Sequence, residues 1–161
     1  MPDVYVFSSQ SVTNIWAGIG ARAWAVSRSQ ADNVGGAVKK SRDLPVGAFG
    51  IFYCSEIESL TTPFIIYSKP IEGIPIRGIW EGEWTLLFRI HPMGTPGRRL
   101  PKQKITESLP TLRETRTPWH HVFRYQPTTL FVPTQLADTD WSALLAILVG
   151  DVVADWQPRE S

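Results

Sequence analysis

The chain has 161 residues, of which 43% are apolar and 19% charged, a composition that excludes disorder and suffices for one domain with its own core. A net charge of +1 excludes a protein that coats nucleic acid through charge alone. No apolar run reaches the roughly 20 residues of a membrane span, MPDVYVF lacks the regions of a signal peptide, and the one cysteine, Cys54, lies in the apolar run GIFYCS, so a reducing, cytoplasmic setting without disulfides or membrane insertion is expected.

Val4 to Phe7 alternates in the manner of a first strand, after which Ser9 or Ser11 caps a short helix reaching Ile19. Ala23 to Val26 reads as a second strand, followed by the weakly helical stretch Ser29 to Lys40 and a charged turn to Pro45. Val46 to Cys54, Pro63 to Ser68 and Trp84 to His91 are rich in β-branched, aromatic and aliphatic residues and form the middle of the sheet. From Pro92 to Pro118 recurrent prolines and most of the basic charge predict a long ordered loop with one helical turn near Thr106. Asp138 or Thr139 caps a closing helix, Asp140 to Val149, with Trp141, Leu144, Leu145 and Leu148 on its apolar face and Gly150 as its stop. The domain is thus placed at residues 1–150, with 151–161 as a tail or linker. Strands outnumber helices without regular alternation, which predicts the α+β class: a curved sheet or small β-barrel flanked by helices.

Enzyme signatures are missing. His91, His120 and His121 lack the neighbours of a zinc site, no GxSxG accompanies them, and the glycines of WAGIG, NVGGA and VGAFG build no phosphate cradle. A binding module without metal or cofactor is expected; the alternative from another class is a small-molecule enzyme with a pocket near His120 and Tyr125.

The aromatic content points to what is bound. Of seven tryptophans, Trp141 and Trp16 fall on apolar helix faces and are expected in the core. Trp24, beside the polar run SRSQADN, and Trp80, in the turn GIWEGEW, are harder to bury by regular packing and suit stacking on a flat ligand. Between Arg98 and Arg116 six basic residues face Glu107 and Glu114, so this segment is either a phosphate track or a solvated surface.

These segments, in this order, resemble the PUA-like superfamily and, within it, the YTH and EVE domains that read modified bases. SQSVTNIWAGIGARAWAVS (Ser9 to Ser27) is similar to the YTH opening that ends in a cage tryptophan, here Trp24. ADNVGGAVKKSRDLPVGAFGIFY resembles the descent into the central strand, and WEGEWTLLFRIHPM (Trp80 to Met93) the cage-side tryptophan with its turn and strand. RETRTPWHHVFRY and LADTDWSALLAIL are similar to the EVE C-terminal half.

The resemblance implies a non-catalytic domain that flips a methylated base into an aromatic pocket. It places Trp24 and Trp80 as walls, Asn14 as the residue that reads the base edge, and Ser9, Gln10 and the Ala25 backbone at the border. Ile76 and Ile79 are the other candidates for the second wall. Arg98, Arg99, Lys102, Lys104, Arg116 and Arg124 are the candidates for phosphate contacts. DNA with methylated adenine or cytosine is the favoured partner, because prokaryotic domains of this kind serve McrB-like restriction motors as specificity modules, inside a larger parent chain or assembly; methylated RNA is the alternative.

Overall fold

The computed structural model describes residues 1–149; the expected Gly150 stop and the tail 151–161 lie outside the described residues. Seven strands form one sheet in the order β2-β5-β4-β3-β1-β7, with β6 alongside β4. In the chain these are β1 (Asp3–Ser9), β2 (Ala23–Ser27), β3 (Phe49–Cys54), β4 (Ser59–Ile66), β5 (Trp84–Pro92), β6 (Arg99–Pro101) and β7 (Pro133–Gln135). β1 and β3 are parallel and every other pair is antiparallel. The expected α+β class with a curved sheet is what forms.

Two bulges account for the curl. Between β3 and β4 the register shifts past Gly50, and between β2 and β5 it shifts past Trp24. In each case the strand carrying the extra residue holds a left-handed non-glycine there, Thr62 (φ 53°) in β4 and Leu86 (φ 57°) in β5. An extra residue of this kind bends its strand and increases the local twist, and the first bulge also accommodates Pro63 within β4.

Helices close the sheet on both sides. α1 (Val12–Ala21) starts at Ser11, whose hydroxyl accepts from the Asn14 N–H at 3.1 Å, as one of the two expected caps. α2 (Arg28–Asn33) starts directly from β2, with Ser27 accepting from the Gln30 N–H at 3.3 Å, and α3 (Ala37–Ser41) follows. The expected loop over 92–118 is instead β6 followed by two short helices, α4 (Lys102–Ser108) and α5 (Pro110–Thr115). Its prolines start elements rather than break them: Pro101 precedes α4 and Pro110 is the first residue of α5, where no N–H is needed.

The closing helix α6 (Asp138–Leu148) buries Trp141, Leu144 and Leu148 as expected, but neither Asp138 nor Thr139 caps it. Its Asp140, only 1% exposed, instead accepts from the Thr111 N–H at 2.9 Å and from the Thr111 hydroxyl. An acid of one helix thereby satisfies the open N-terminus of another.

The core has two lobes, one on each face of the curled sheet. One gathers Phe7, Phe52, Phe64 and Phe88 with Trp24 and Trp80; the other gathers Ile51, Leu60, Trp119 and Trp141 under α4 to α6. Cys54 is buried in the first, as expected, and burial pushes its thiol up. Gly50 is the tightest position: a Cβ there would lie 2.2 Å from Phe64 Cε2, and Phe64 is fully buried. Gly50→Ala is expected to lower stability by about 1–3 kcal/mol, read as a lower urea midpoint with an unchanged slope.

Candidate nucleic-acid interface

A cavity of about 1090 Å³ lies where the end of β1 runs into α1. The end of β1 delivers Ser9, the link to α1 Gln10, the first turn of α1 Asn14, and β2 Ala25. Four of the residues expected at the base site therefore share one wall. Ala25 sits opposite the β5 bulge, between the paired residues Trp24 and Val26. The Asn14 backbone is committed, its N–H to Ser11 and its carbonyl to the Trp80 indole at 2.9 Å. Among the described residues its side-chain amide has no hydrogen-bond partner, so both its donors and its acceptor are available to a ligand.

The tryptophans are arranged differently from expectation. Trp24 is 2% and Trp80 5% exposed, and neither lines the cavity. Their burial results from the segment before β5, which folds back so that Ile76 pairs with Trp84, and from Gly18. A Cβ on Gly18 would come within 3.0 Å of both the Ala23 carbonyl and the Trp24 ring. The indole that does line the cavity is Trp84, at the start of β5 opposite Ser27. Trp24 meets it edge-on at 5.9 Å and Trp80 lies tilted against it at 4.9 Å. Ile76 and Ile79 pack against the core instead of forming a wall. Trp16, expected inside, is 48% exposed.

The cavity is also lined by Tyr53 at the end of β3 and by the stretch Tyr125 to Thr128, of which the sequence singles out only Tyr125, and that for an enzyme pocket. Tyr53 is buried in the second lobe of the core, and its register beside Ser8 of β1 brings it to the cavity. Burial raises the Tyr53 phenol, with Lys102 opposing. The Gln30 amide donates to the Pro127 carbonyl at 3.2 Å and so ties α2 to the stretch Tyr125 to Thr128.

Among cations, Arg28 lines the cavity and pairs with Asp32 at 3.4 Å. Lys102 bonds Glu58 at 2.7 Å, which raises its pKa, and lies near enough to Tyr53 and Tyr125 to interact with both. Arg124 is exposed and directly precedes Tyr125. Arg98, Arg99, Lys104 and Arg116 are exposed but none lines the cavity. Arg99 lies on β6 with its charge acting on Cys54, Lys104 on α4, and Arg116 in the left-handed residue that ends α5.

His120 and His121 occupy a 3₁₀ turn (Trp119–His121), and neither lines the cavity; His91 stacks on Tyr67 at 5.5 Å. Among the described residues no group of acidic, histidine and cysteine side chains could hold a metal ion, and no helix is long and apolar enough to cross a membrane.

No family model matches the chain, and no curated protein matches it in sequence. Solved structures do match in shape. The YTH domain of the Zygosaccharomyces rouxii MRB1 protein, in complex with N6-methyladenosine RNA, superposes with a TM-score of 0.56 at 15% identity, covering 90% of this chain and 85% of that one. The Toxoplasma CPSF4 YTH domain, in complex with a 7-mer m6A-modified RNA, gives 0.56 at 14% identity over 96% and 97%, and the Pho92 YTH domain in complex with m6A gives 0.54 at 16% over 91% and 83%. Such low identities bear on architecture alone, and there the agreement spans nearly the whole described chain. The protein has the fold of YTH domains, an α+β half-barrel flanked by helices.

Proposed function

We propose that this chain is a non-catalytic reader of methylated adenine in RNA, and that the base enters the cavity between Trp84 and the Ser9–Asn14 wall. The observation that carries this reading is the convergence of Ser9, Gln10, Asn14 and Ala25 with one accessible indole in a single cavity. In this reading the base lies against Trp84, which Trp24 and Trp80 hold from behind, and the free Asn14 amide reads its edge. RNA is preferred to the DNA that the restriction-module resemblance suggested, since the solved structures of this fold include complexes with N6-methyladenosine RNA.

Magnitudes restrict how the methyl is selected. Burying one methyl group contributes about 0.8 kcal/mol, roughly fourfold in affinity. Preference well above that requires close contact of the methyl with the indole face. Stacking adds about 1–3 kcal/mol for either base and offsets the few kcal/mol of unstacking. Modest affinity for a single strand, and weaker affinity for a duplex, are therefore expected.

The test is a titration panel of matched single strands: RNA and DNA, each with adenine, 6-methyladenine, cytosine or 5-methylcytosine at one position. Methylated-adenine RNA is expected to bind most tightly. Tighter binding of methylated DNA would restore the restriction reading, and no preference for any modified base would end the proposal.

Phosphate contacts are assigned to Arg28, Lys102 and Arg124, because their surroundings adjoin the cavity and exposed ion pairs such as Arg28–Asp32 are weak enough to yield to a phosphate. Arg28→Ala and Lys102→Ala are each expected to weaken modified and plain oligonucleotides alike. Each should also reduce the slope of log affinity against log salt by about 0.7. The double change Arg98→Ala with Arg99→Ala tests a track along β6 instead. A reduced slope there, with none for Arg28 and Lys102, would relocate the backbone path.

A further inference from the structure

We infer that Tyr125, braced by the buried Tyr53, forms a second stacking site, which holds the base of the nucleotide next to the modified one. The inference rests on the base-reading proposal and extends the ligand from one nucleotide to two adjacent ones. Both tyrosines line the same cavity as Trp84, and Tyr125 is the more exposed of the two. A volume of about 1090 Å³ exceeds the roughly 300–1000 Å³ that holds an entire drug-sized ligand, so one base leaves much of it unfilled.

The platform is braced. Tyr125 packs on Trp119 with ring centres 4.5 Å apart and meets Tyr53 edge-on at 4.9 Å, while Tyr53 stacks on Trp119 at 5.6 Å. The backbone on either side of Tyr125 is fixed as well, Arg124 N–H to the Thr134 hydroxyl at 2.7 Å and the Pro127 carbonyl to Gln30. Tyr53 belongs to the core beneath, whereas Tyr125 is half-buried and, among the described residues, its phenol hydroxyl has no hydrogen-bond partner, so packing alone has not used up that side chain. Lys102, paired with Glu58 at 2.7 Å, is near enough for its charge to act on both phenols. A rigidly held, partly exposed ring near basic side chains is the kind of platform on which single-stranded bases stack without a sequence preference.

The experiment compares N6-methyladenosine nucleoside with a short modified RNA, against wild type, Tyr125→Ala and Tyr125→Phe. Tyr125→Ala is expected to weaken the RNA about tenfold while leaving nucleoside affinity unchanged, and Tyr125→Phe, which keeps the ring, to retain RNA affinity. Removing the base from one neighbour of the modified residue should cost the wild type the same factor and cost Tyr125→Ala nothing more. Unchanged nucleoside binding also certifies that the variant is folded; if Tyr125→Ala melts below the assay temperature, Tyr125→Leu takes its place.

The inference is overturned if Tyr125→Ala weakens nucleoside and RNA equally, if it weakens neither, or if base removal costs both proteins alike. A wild type with no preference for methylated over plain nucleoside overturns the parent proposal instead, and that outcome is seen before any variant is made.

Discussion

Trp24→Ala is expected to cost about 3–5 kcal/mol of folding stability, a large share of the roughly 5–15 kcal/mol that holds a domain together. The ring is 2% exposed and is the hub of an edge-to-face cluster. Phe52 lies at 4.6 Å, Trp80 at 5.3 Å and Trp84 at 5.9 Å. Gly18 leaves the space through which α1 approaches it, and α1 and β2 carry Asn14 and Ala25 at the cavity. Truncating the indole would empty the volume that sets their spacing, so loss of binding should accompany loss of stability. Trp24→Phe separates the two: it keeps an aromatic behind Trp84, and is expected to fall between wild type and alanine in denaturant midpoint while retaining ligand selectivity. A Trp24→Ala protein that melts like wild type but no longer prefers the modified base would mean that the ring leaves the core to meet ligand.

The contrast between this expectation and the reading of Trp24 as an open wall shows which features local sequence encodes. Ser11 and Ser27 cap helices through bonds to residues three positions on, so the start of α1 could be read directly, as could β2, β5 and the apolar face of α6. Ser9, Gln10, Asn14 and Ala25, which line the cavity, all lie within the short segment from Ser9 to Ser27 that carries the resemblance, so their proximity follows from a single strand–helix–strand unit. The burial of Trp24 and Trp80 depends on the return of the segment before β5 against it, through the Ile76–Trp84 bridge, and no local pattern encodes that return.

The same limit explains the other differences. Pro101 and Pro110 looked like breakers because helix-starting and loop prolines are alike until the following residues pack, and α4 and α5 pack through Ile105, Leu109 and Leu112. Asp138 and Thr139 looked like caps for the closing helix, yet the acid that caps is Asp140, and it caps α5 at Thr111, 29 residues earlier. Tyr53 and Tyr125 are far apart in sequence and meet only around Trp119. The surface position of Trp16 follows from its place on α1, whose inward face is taken by Ile15 and Gly18.

Asn14→Ala is expected to remove most of the discrimination at the base edge, about 1–3 kcal/mol for a side-chain amide making two bonds, or roughly 5- to 150-fold in affinity for the methylated strand. Stability should barely change, because the bonds through which Asn14 supports the fold are made by its backbone, from Ser11 and to the Trp80 indole, and alanine keeps both. Asn14→Asp removes the donors and leaves acceptors, so comparison of the two variants identifies which part of the amide the base requires. Trp84→Ala should act differently. It removes a stacking surface common to plain and methylated bases, and so weakens both strands while taking away the extra gain from the methyl. Titration of each variant with plain and methylated RNA, alongside a melting curve, distinguishes edge reading from stacking. An Asn14→Ala protein with wild-type selectivity would show that the free amide at the head of α1 does not touch the base, and would leave the cavity without an edge reader among the residues that line this wall.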